Sequence, residues 1–334
     1  MAVRSGSADT VGARPHPSSP CRSATPFHLR CRWRMTVLVI GKHGQLAQSL
    51  ASAGGNDVVC VGRPDADLRD PVSLERVVSS VNPDVVINAG AYTSVDGAEG
   101  DAEAAFALNR DGPAILARIC AARAIPLIHI STDCVFDGEK AGPYEPDDEA
   151  GPLGIYGLSK WQGEEAVRQT YLQHLIVRVS WVFSEHAHNF VRTMLKLART
   201  LDEVTVVDDQ VGYPTYCPDL AVGLLKMAKD ATKPGFAAWG TYHLAGNEEI
   251  DRASMADAIF AASRAAGGPS AQVRGVPTAD YRTAARRPLN ARLASTKAFR
   301  TFGVRLDDWR PGLTRSVRAL LSQHAAAPAV EPKG

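Results

Sequence analysis

The sequence predicts an α/β fold, built as a doubly wound parallel sheet with a smaller region after it. Short β-branched runs alternate with amphipathic helical stretches from residue 35 onward, and glycines interrupt the turn that follows the first run. Continuous apolar runs of this kind indicate parallel strands that are buried on both faces by their crossover helices. A chain of 334 residues is long enough for one large core or two smaller ones.

The predicted elements alternate regularly as far as Trp181. Strands are predicted at 36–40, 58–61, 84–91, 126–132 and 175–181. The stretches between them have helical character, and they read GQLAQSLASA, PVSLERVVSSV, AEAAFALNRDGPAILARICAARA and, last, residues 156–170. Strands that alternate with helices in this way predict βαβ units around one parallel sheet.

The alternation becomes less regular after Trp181. Helices are predicted at FVRTMLKLA, LAVGLLKMAKDA, 253–266 and 310–323, short strands at VTVVD and TYHLAG, and a turn at RRPLNARL. We therefore predict one domain over 35–180 and a second region over 181–325 that is partly interleaved with it.

Both ends of the chain are predicted to lie outside this fold. Residues 1–34 hold six arginines and a single acid and show no hydrophobic periodicity, so we expect a disordered N-terminal extension. An organelle transit peptide is the alternative, because such peptides are also rich in arginine and serine and poor in acids. Residues 326–334 are predicted to form a flexible tail.

The composition argues against several classes of partner. The net charge is +1, with acids and bases interspersed, so no field of one sign attracts nucleic acid or an anionic membrane. No apolar run approaches the roughly 18 residues that span a bilayer. The six cysteines are scattered, without a C-x-x-C pair, and predict free thiols rather than a metal site. We expect a soluble cytoplasmic protein.

A glycine loop follows the first predicted strand. IGKHGQLAQSL places Gly41, Gly44 and Ala47 in a G-x-x-G-x-x-A pattern at the start of the first helix. Glycines there allow a tight turn and a close approach of the backbone to a pyrophosphate, which the amino terminus of the helix attracts. The position of the loop between a strand and a helix indicates a Rossmann-type dinucleotide site.

The end of the second predicted strand favours one form of this cofactor. VVCVGRPD has no acid at the position that would hold an adenosine 2′-hydroxyl, and Arg63 stands there instead. Arg63 and Lys42 could both meet a 2′-phosphate. We therefore predict that NADPH is accepted at least as well as NADH.

A tyrosine and a lysine lie four residues apart in GIYGLSK, so Tyr156 and Lys160 share one face of a helix. A nearby ammonium favours the phenolate and would lower the pKa of a tyrosine that donates a proton. ISTDCVFDG supplies Thr132 at the carboxyl end of a strand. A surface pair is the alternative, but the glycine loop and the threonine occur in the order of a known catalytic plan.

The sequence resembles the extended short-chain dehydrogenase/reductases and, within them, the family of dTDP-4-dehydrorhamnose reductases. The resemblance covers nearly all of 35–325, and the blocks that carry it are GKHGQLA, PDVVINAGAYTSVDGAE, STDCVFDG, IYGLSKWQGE, RVSWVF, VVDDQVGYPT, GTYHLAG and RRPLNARL. It implies an NAD(P)H-dependent reduction of the C4 ketone of dTDP-4-dehydro-L-rhamnose to dTDP-L-rhamnose, the last step of dTDP-rhamnose biosynthesis.

The resemblance also implies roles for individual residues. Tyr156 would donate the proton, Lys160 would hold the nicotinamide ribose, and Thr132 would bind at the reacting oxygen. The cofactor would contact the pyrophosphate loop, the adenine side and the third strand through Gly41, Lys42, Gly44, Gln45, Leu46, Arg63, Asp67, Leu68, Ala91, Tyr92 and Thr93. The dTDP-sugar would contact Thr132, Asp133, Trp181 and Arg287. Residues 35–180 would bind NAD(P), and 181–325 mainly the sugar nucleotide.

Three departures from the family pattern affect these expectations. Cys134 stands where a tyrosine is usual, which changes the sugar pocket, and Ala47 replaces a third glycine, which helix packing tolerates. Some relatives dimerise through a magnesium ion that an acid on the first helix holds, and QLAQSLASAGG has no acid. We therefore expect no metal, and either a monomer or a weak homodimer.

Three alternative functions stay open at this point. The chain could reduce the 4-ketone of another dTDP-deoxyhexulose. It could be a sugar-nucleotide dehydratase or epimerase, although elimination needs a second acid, and Cys134 follows Asp133. It could also be a non-catalytic regulatory subunit of the kind that binds methionine adenosyltransferase, although its Thr132, Tyr156 and Lys160 are those of an enzyme.

Overall fold

The computed structural model describes residues 35–325, and the predicted extension 1–34 and tail 326–334 lie outside them. The strands are β1 (Val37–Ile40), β2 (Val58–Val61), β3 (Val85–Asn88), β4 (Leu127–Thr132), β5 (His174–Val179), β6 (Val182–Phe183), β7 (Glu203–Val207), β8 (Val211–Gly212), β9 (Thr215–Tyr216), β10 (Gly240–His243), β11 (Ile250–Asp251), β12 (Gln272–Val276) and β13 (Asn290–Ala291). The helices are α1 (Gln45–Gly54), α2 (Pro71–Val81), α3 (Val95–Gly100), α4 (Ala102–Phe106), α5 (Gly112–Arg123), α6 (Ile155–Thr170), α7 (Phe190–Leu197), α8 (Cys217–Ala231), α9 (Arg252–Ala265), α10 (Thr296–Phe302) and α11 (Arg310–Ala325).

The central sheet has six strands in the order β2-β1-β3-β4-β5-β10, and every neighbouring pair is parallel. The order reverses between β1 and β3, where the chain first winds to one side and then to the other. Open sheets of this type bind ligands outside the carboxyl ends of the strands at that point. The predicted α/β fold with a doubly wound parallel sheet is confirmed.

Both faces of the sheet are covered, as a parallel sheet requires. Val37 and Val39 point to one face and join a core with α1, α8 and α10, whereas Leu38 and Ile40 point to the other and join a core with α2 and α5. This alternation follows from the two-residue period of a strand. All four residues of β1 are buried, which explains why its sequence has no polar position.

A second core lies in the C-terminal region. It joins α7, α9 and α11 with the two-stranded parallel sheet of β7 and β12. β7 corresponds to the predicted strand VTVVD, but β12, with the sequence QVRGV, was not predicted. A strand with three exposed residues among five shows little hydrophobic pattern, so the sequence did not reveal it.

Two other predicted elements differ from the structure. The helix predicted through 102–124 is interrupted by a π-helical turn, Ala107–Asp111, between α4 and α5. The strand predicted at TYHLAG is β10, which comes from the C-terminal region but completes the edge of the central sheet beside β5. Within 35–325, no helix combines the length and the apolar character that crossing a membrane requires.

Candidate active site

The glycine loop forms a cradle at the carboxyl ends of β1 and β3. Gly41 has a φ of 126°, and a Cβ atom there would lie 3.2 Å from the backbone of Ala89 and Gly90. The loop can therefore approach β3 only because Gly41 has no side chain. Gly44 caps α1 without a side-chain hydrogen bond, and a Cβ atom at Gly44 would meet nothing within 4 Å. The amino terminus of α1 is therefore unobstructed at Gly44, and a helix start attracts an anion such as a pyrophosphate.

The two basic residues of the predicted 2′-phosphate site lie at this edge of the sheet. A Cβ atom at Gly62 would lie 3.0 Å from the Cβ of Lys42, so the first loop packs directly against the end of β2. Arg63 follows in the same turn with an exposed side chain. Asp67 forms an ion pair of 2.7 Å with Arg69, and this hydrogen-bonded pair lowers the pKa of Asp67 to about 2.

The remaining residues of the first loop make contacts that the sequence did not predict. The side chain of Gln45 points toward the segment after β5, where its Nε2 donates to the Val182 carbonyl at 3.2 Å. Its Oε1 accepts from Ser184 and Asn189. Leu46 and Leu68 are buried in the two cores of the sheet.

The segment Ala91, Tyr92 and Thr93 follows β3 and is held by Asn109. The side-chain Oδ1 of Asn109 accepts from the backbone N–H of Tyr92 at 2.8 Å, and its side-chain Nδ2 donates to the Tyr92 carbonyl at 3.0 Å. The same amide donates to the hydroxyl of Ser159 on α6 at 3.0 Å. Asn109 is fully buried in the π-helical turn and ties the third strand to the helix that carries Tyr156.

Tyr156 and Thr132 meet in the structure. Thr132 ends β4, and Tyr156 lies in the first turn of α6, which packs against the turn after β4. Burial raises the pKa of the Tyr156 phenol, and the neighbouring Thr132 hydroxyl offsets only part of that increase. The sequence predicts that Lys160 and Thr132 both help to set this pKa; of the two, Thr132 acts to lower it here, and the net pKa is raised.

Lys160 is buried one turn further along α6. Its ammonium donates to the Ile130 carbonyl of β4 at 2.6 Å, and only 2% of the residue is exposed. Burial lowers the pKa of Lys160 to about 8, and the negative charge of Glu164 opposes that shift. Lys160 therefore changes its charge close to physiological pH, unlike an exposed lysine.

Glu164 belongs to a buried ion network behind the lysine. Both of its carboxylate oxygens accept from Arg178 of β5, at 2.9 and 2.7 Å, and one also accepts from Arg168 at 2.6 Å. Glu164 and Arg178 are at most 1% exposed. The sequence contained a signal for this network, because Arg178 interrupts the apolar strand LIVRV and a buried charge needs a partner.

Asp133 lies beside Thr132 in a pocket of hydroxyl donors. Its carboxylate accepts from Thr132 at 2.8 Å and from Ser180 at 3.0 Å. Burial raises the pKa of Asp133, and these hydrogen bonds together with the positive charge of Arg252 act in the opposite direction. Ser180 and Arg252 were not identified from the sequence, where a lone serine after a strand and an arginine at a helix start are common.

Trp181 is fixed between two neighbours. Its φ of 44° places it in the left-handed region, which is strained for a bulky residue. A Cβ atom at Gly212 would lie 2.5 Å from the Cε2 of the indole, and the Arg252 guanidinium carbon lies 3.5 Å from the ring centroid on the indole face. The predicted sugar-nucleotide residue Trp181 is thus held rigidly near Asp133.

Arg287 lies at the rim of this cluster and is already paired. Its guanidinium donates to Asp96 of α3 at 2.7 Å. The half-buried Cys134 thiol lies 3.6 Å from the Asp133 carboxylate, and burial raises its pKa. A small pocket opens next to these residues, between Cys134, Tyr156, Gly154 and Arg286. Within 35–325, no group of three His, Cys, Asp or Glu side chains is placed to hold a metal ion.

Comparison with known proteins gives a consistent result. The family model described as the RmlD substrate binding domain matches residues 35–322. The chain is 41% identical over 290 residues to the dTDP-4-dehydrorhamnose reductase of Sinorhizobium fredii, covering 86% of this chain and 98% of that protein. It is 35% identical over 302 residues to the dTDP-4-dehydrorhamnose reductase of Escherichia coli, covering 87% of this chain and all of that protein.

A solved structure agrees with this. The dTDP-4-dehydrorhamnose reductase of Bacillus anthracis, crystallised in complex with NADP, matches with a TM-score of 0.78 and 29% identity, and the match covers 84% of this chain and 98% of that one. A dTDP-glucose 4,6-dehydratase of Streptomyces venezuelae shares the fold, with a TM-score of 0.73, but is only 19% identical.

Proposed function

The chain belongs to the RmlD substrate binding domain family, and on that premise we propose that it reduces dTDP-4-dehydro-L-rhamnose to dTDP-L-rhamnose with NADPH. NADH is the possible second cofactor. The observation that carries the proposal is the position of Tyr156 beside Thr132 at the end of β4, with Lys160 buried one turn further along α6 and its ammonium donating to the Ile130 carbonyl. An acid, a hydroxyl and an ammonium in that arrangement suit the reduction of a ketone.

Each residue has a distinct part in this chemistry. When bound against the loop at Gly41 and Gly44, NADPH supplies a hydride to C4 of the sugar. Tyr156 donates its phenolic proton to the oxygen at C4 as negative charge develops there. Thr132 stabilises the same oxygen and the phenolate that remains. Lys160 keeps a positive charge close to both, and burial excludes water that would weaken these interactions.

The direct test measures the loss of NADPH absorbance when purified protein is mixed with dTDP-4-dehydro-L-rhamnose. Oxidation with dTDP-L-rhamnose as the product supports the proposal. NADPH that binds without oxidation would contradict it. Turnover of a different dTDP-4-dehydro sugar in the same assay would then indicate another 4-ketoreductase, and stable co-purification with a methionine adenosyltransferase would indicate a regulatory subunit.

The pKa of Lys160 predicts a pH dependence. Because this pKa is about 8, the ammonium loses its proton as the pH rises through that value, and kcat/KM should fall about tenfold per unit above it. Below it Lys160 is charged and gives no further change. A pH series from 6 to 10 with NADPH in saturating amounts would measure this limb. Constant kcat/KM up to pH 9.5 would contradict the assignment.

The basic edge of the sheet predicts a cofactor preference. Arg63 is exposed next to Lys42, and its charge is available to a 2′-phosphate. We expect Arg63→Ala to raise the KM for NADPH about tenfold, because one charge-assisted hydrogen bond is lost. NADH lacks the phosphate, so its KM in the same variant serves as the internal control. An equal rise for both cofactors would show that the substitution disturbs the fold of the loop.

These assignments also indicate which part of the chain binds which ligand. We propose that 35–180 mainly bind the dinucleotide and that 181–325 mainly bind the sugar nucleotide, with β10 as the point where the two interleave. The proposed site residues are those predicted from the sequence, together with Asn109 and Ser180 as positioning residues. We further propose that the protein acts in the cytoplasm as a monomer or weak homodimer and needs no metal.

A further inference from the structure

The guanidinium of Arg252 is placed beside the proposed active site without a hydrogen-bond partner. Arg252 begins α9, and its backbone N–H donates to the Gln210 carbonyl at 3.2 Å. Among the residues that the structure describes, no side chain or carbonyl accepts a hydrogen bond from its guanidinium. Asp133, the acid whose charge acts on Arg252, accepts from Thr132 and Ser180 but not from the Arg252 guanidinium.

Stacking orients these free donors. The guanidinium carbon lies 3.5 Å from the centroid of Trp181 and 5.0 Å from that of Phe190. A guanidinium that stacks on an aromatic ring uses its flat face, and all five N–H donors lie in its plane. The stack therefore fixes the group and leaves its donors directed away from the two rings. Such a planar fork matches the oxygens of a phosphate.

The charges around Arg252 favour an anion. Burial lowers the pKa of Arg252 to about 10, which still leaves it charged at neutral pH, and the positive charge of Arg287 acts in the same direction. Two arginines close enough to influence one another are stabilised when a dianion lies between them. Asp133 offsets part of this charge, but its carboxylate is held by hydroxyl groups.

We propose that Arg252, stacked on Trp181, is the residue that grips the diphosphate of the sugar nucleotide. This inference rests on the proposed function, because it identifies the anion with the diphosphate of a dTDP-sugar. It also changes the role that the sequence suggested for Arg287, whose donor is engaged by Asp96 and which contributes mainly charge at the rim. Arg252 binds the diphosphate, whereas Thr132 and Tyr156 act on the oxygen of the C4 ketone.

Calorimetric titration of the whole protein with dTDP, thymidine and NADPH tests the proposal in wild type, Arg252→Gln and Arg252→Lys. We expect Arg252→Gln to weaken dTDP binding about 10- to 100-fold, with thymidine and NADPH unchanged, because a charge-assisted contact to phosphate is lost. Arg252→Lys should lie between the two, because a lysine keeps the charge without the fork. Arg310→Gln is the matched control, because Arg310 also stacks on a tryptophan, Trp309, at 4.9 Å.

Three outcomes would overturn the inference. The first is a dTDP affinity of Arg252→Gln within twofold of wild type. The second is an equal loss of thymidine affinity, which would show that Arg252 only supports Trp181. The third is a loss of NADPH affinity in place of dTDP affinity. The turnover assay separates this inference from the proposed function. If the wild-type protein turns over its substrate and Arg252→Gln binds dTDP as wild type does, the role of Arg252 is refuted and the proposed function stands. If Arg252→Gln weakens dTDP binding but the wild-type protein shows no turnover, the reductase function is refuted and the role of Arg252 stands.

Discussion

Replacement of Tyr156 by phenylalanine is expected to lower kcat at least about 100-fold and to leave NADPH binding nearly unchanged. A positioned general acid contributes about 10²- to 10⁴-fold to such a reaction, and Tyr156 is the phenol that lies beside Thr132. Phenylalanine retains the ring in its half-buried position at the start of α6. The substitution therefore removes the proton without opening a cavity.

The measurement combines single-turnover oxidation of NADPH with fluorescence titration of the cofactor. Tyr171→Phe is the matched control, because Tyr171 follows the end of the same helix and its hydroxyl donates only to Gln173 at 2.9 Å. That variant should keep its kcat within twofold. If Tyr156→Phe retained half of the wild-type rate, Tyr156 would not be the proton donor, and another group would have to supply the proton.

The second large effect concerns stability. Arg178→Leu is expected to lower the free energy of unfolding by about 3 kcal/mol, because it leaves the Glu164 carboxylate buried without its principal partner. Arg168 can still pair with one oxygen of Glu164, but its own side chain is 26% exposed and it also pairs with Glu165. The unpaired charge of Glu164, rather than the lost packing of the Arg178 side chain, accounts for most of this decrease in the free energy of unfolding.

Urea denaturation of wild type, Arg178→Leu, Glu164→Leu and the double variant separates the charge from the packing. The double variant Glu164→Leu with Arg178→Leu removes both charges and should be less destabilised than Arg178→Leu alone, because apolar side chains replace a buried pair at little cost. Each loss is compared with wild type under the same buffer. A double variant as destabilised as the sum of the two single variants would show that the network contributes through independent contacts.

The parts that the sequence predicted well are those with local signals. The β-branched runs predicted the five strands from β1 to β5, and the glycine pattern predicted a loop whose Gly41 requires a positive φ. The spacing of Tyr156 and Lys160 predicted one helical face. In each of these cases the information lies within a few consecutive residues, where periodicity and backbone preference determine the structure.

The parts that it missed depend on distant residues. β12 pairs with β7, with Gln272 opposite Glu203 in the register, and neither segment indicates the other. Asn109 lies in a stretch whose sequence predicts one continuous helix. Its role depends on the hydrogen bonds between its side chain and the Tyr92 backbone, which the sequence does not indicate. Arg252 could be identified only from its stacking on Trp181, which lies far from it in the sequence. The raised pKa of Tyr156 follows from burial, which the sequence does not report.

The position of β10 has a consequence for protein engineering. This strand completes the central sheet from a segment that lies between the proposed sugar-nucleotide residues Trp181 and Arg252, and α8 and α10 cover one face of the same sheet. A chimera that exchanged everything after Trp181 between two reductases would replace an edge strand and much of one core along with the substrate pocket. Transfer of substrate specificity between such enzymes should therefore use point substitutions around the proposed sugar-nucleotide residues Trp181 and Asp133, because an exchange of the whole segment would also change the central sheet.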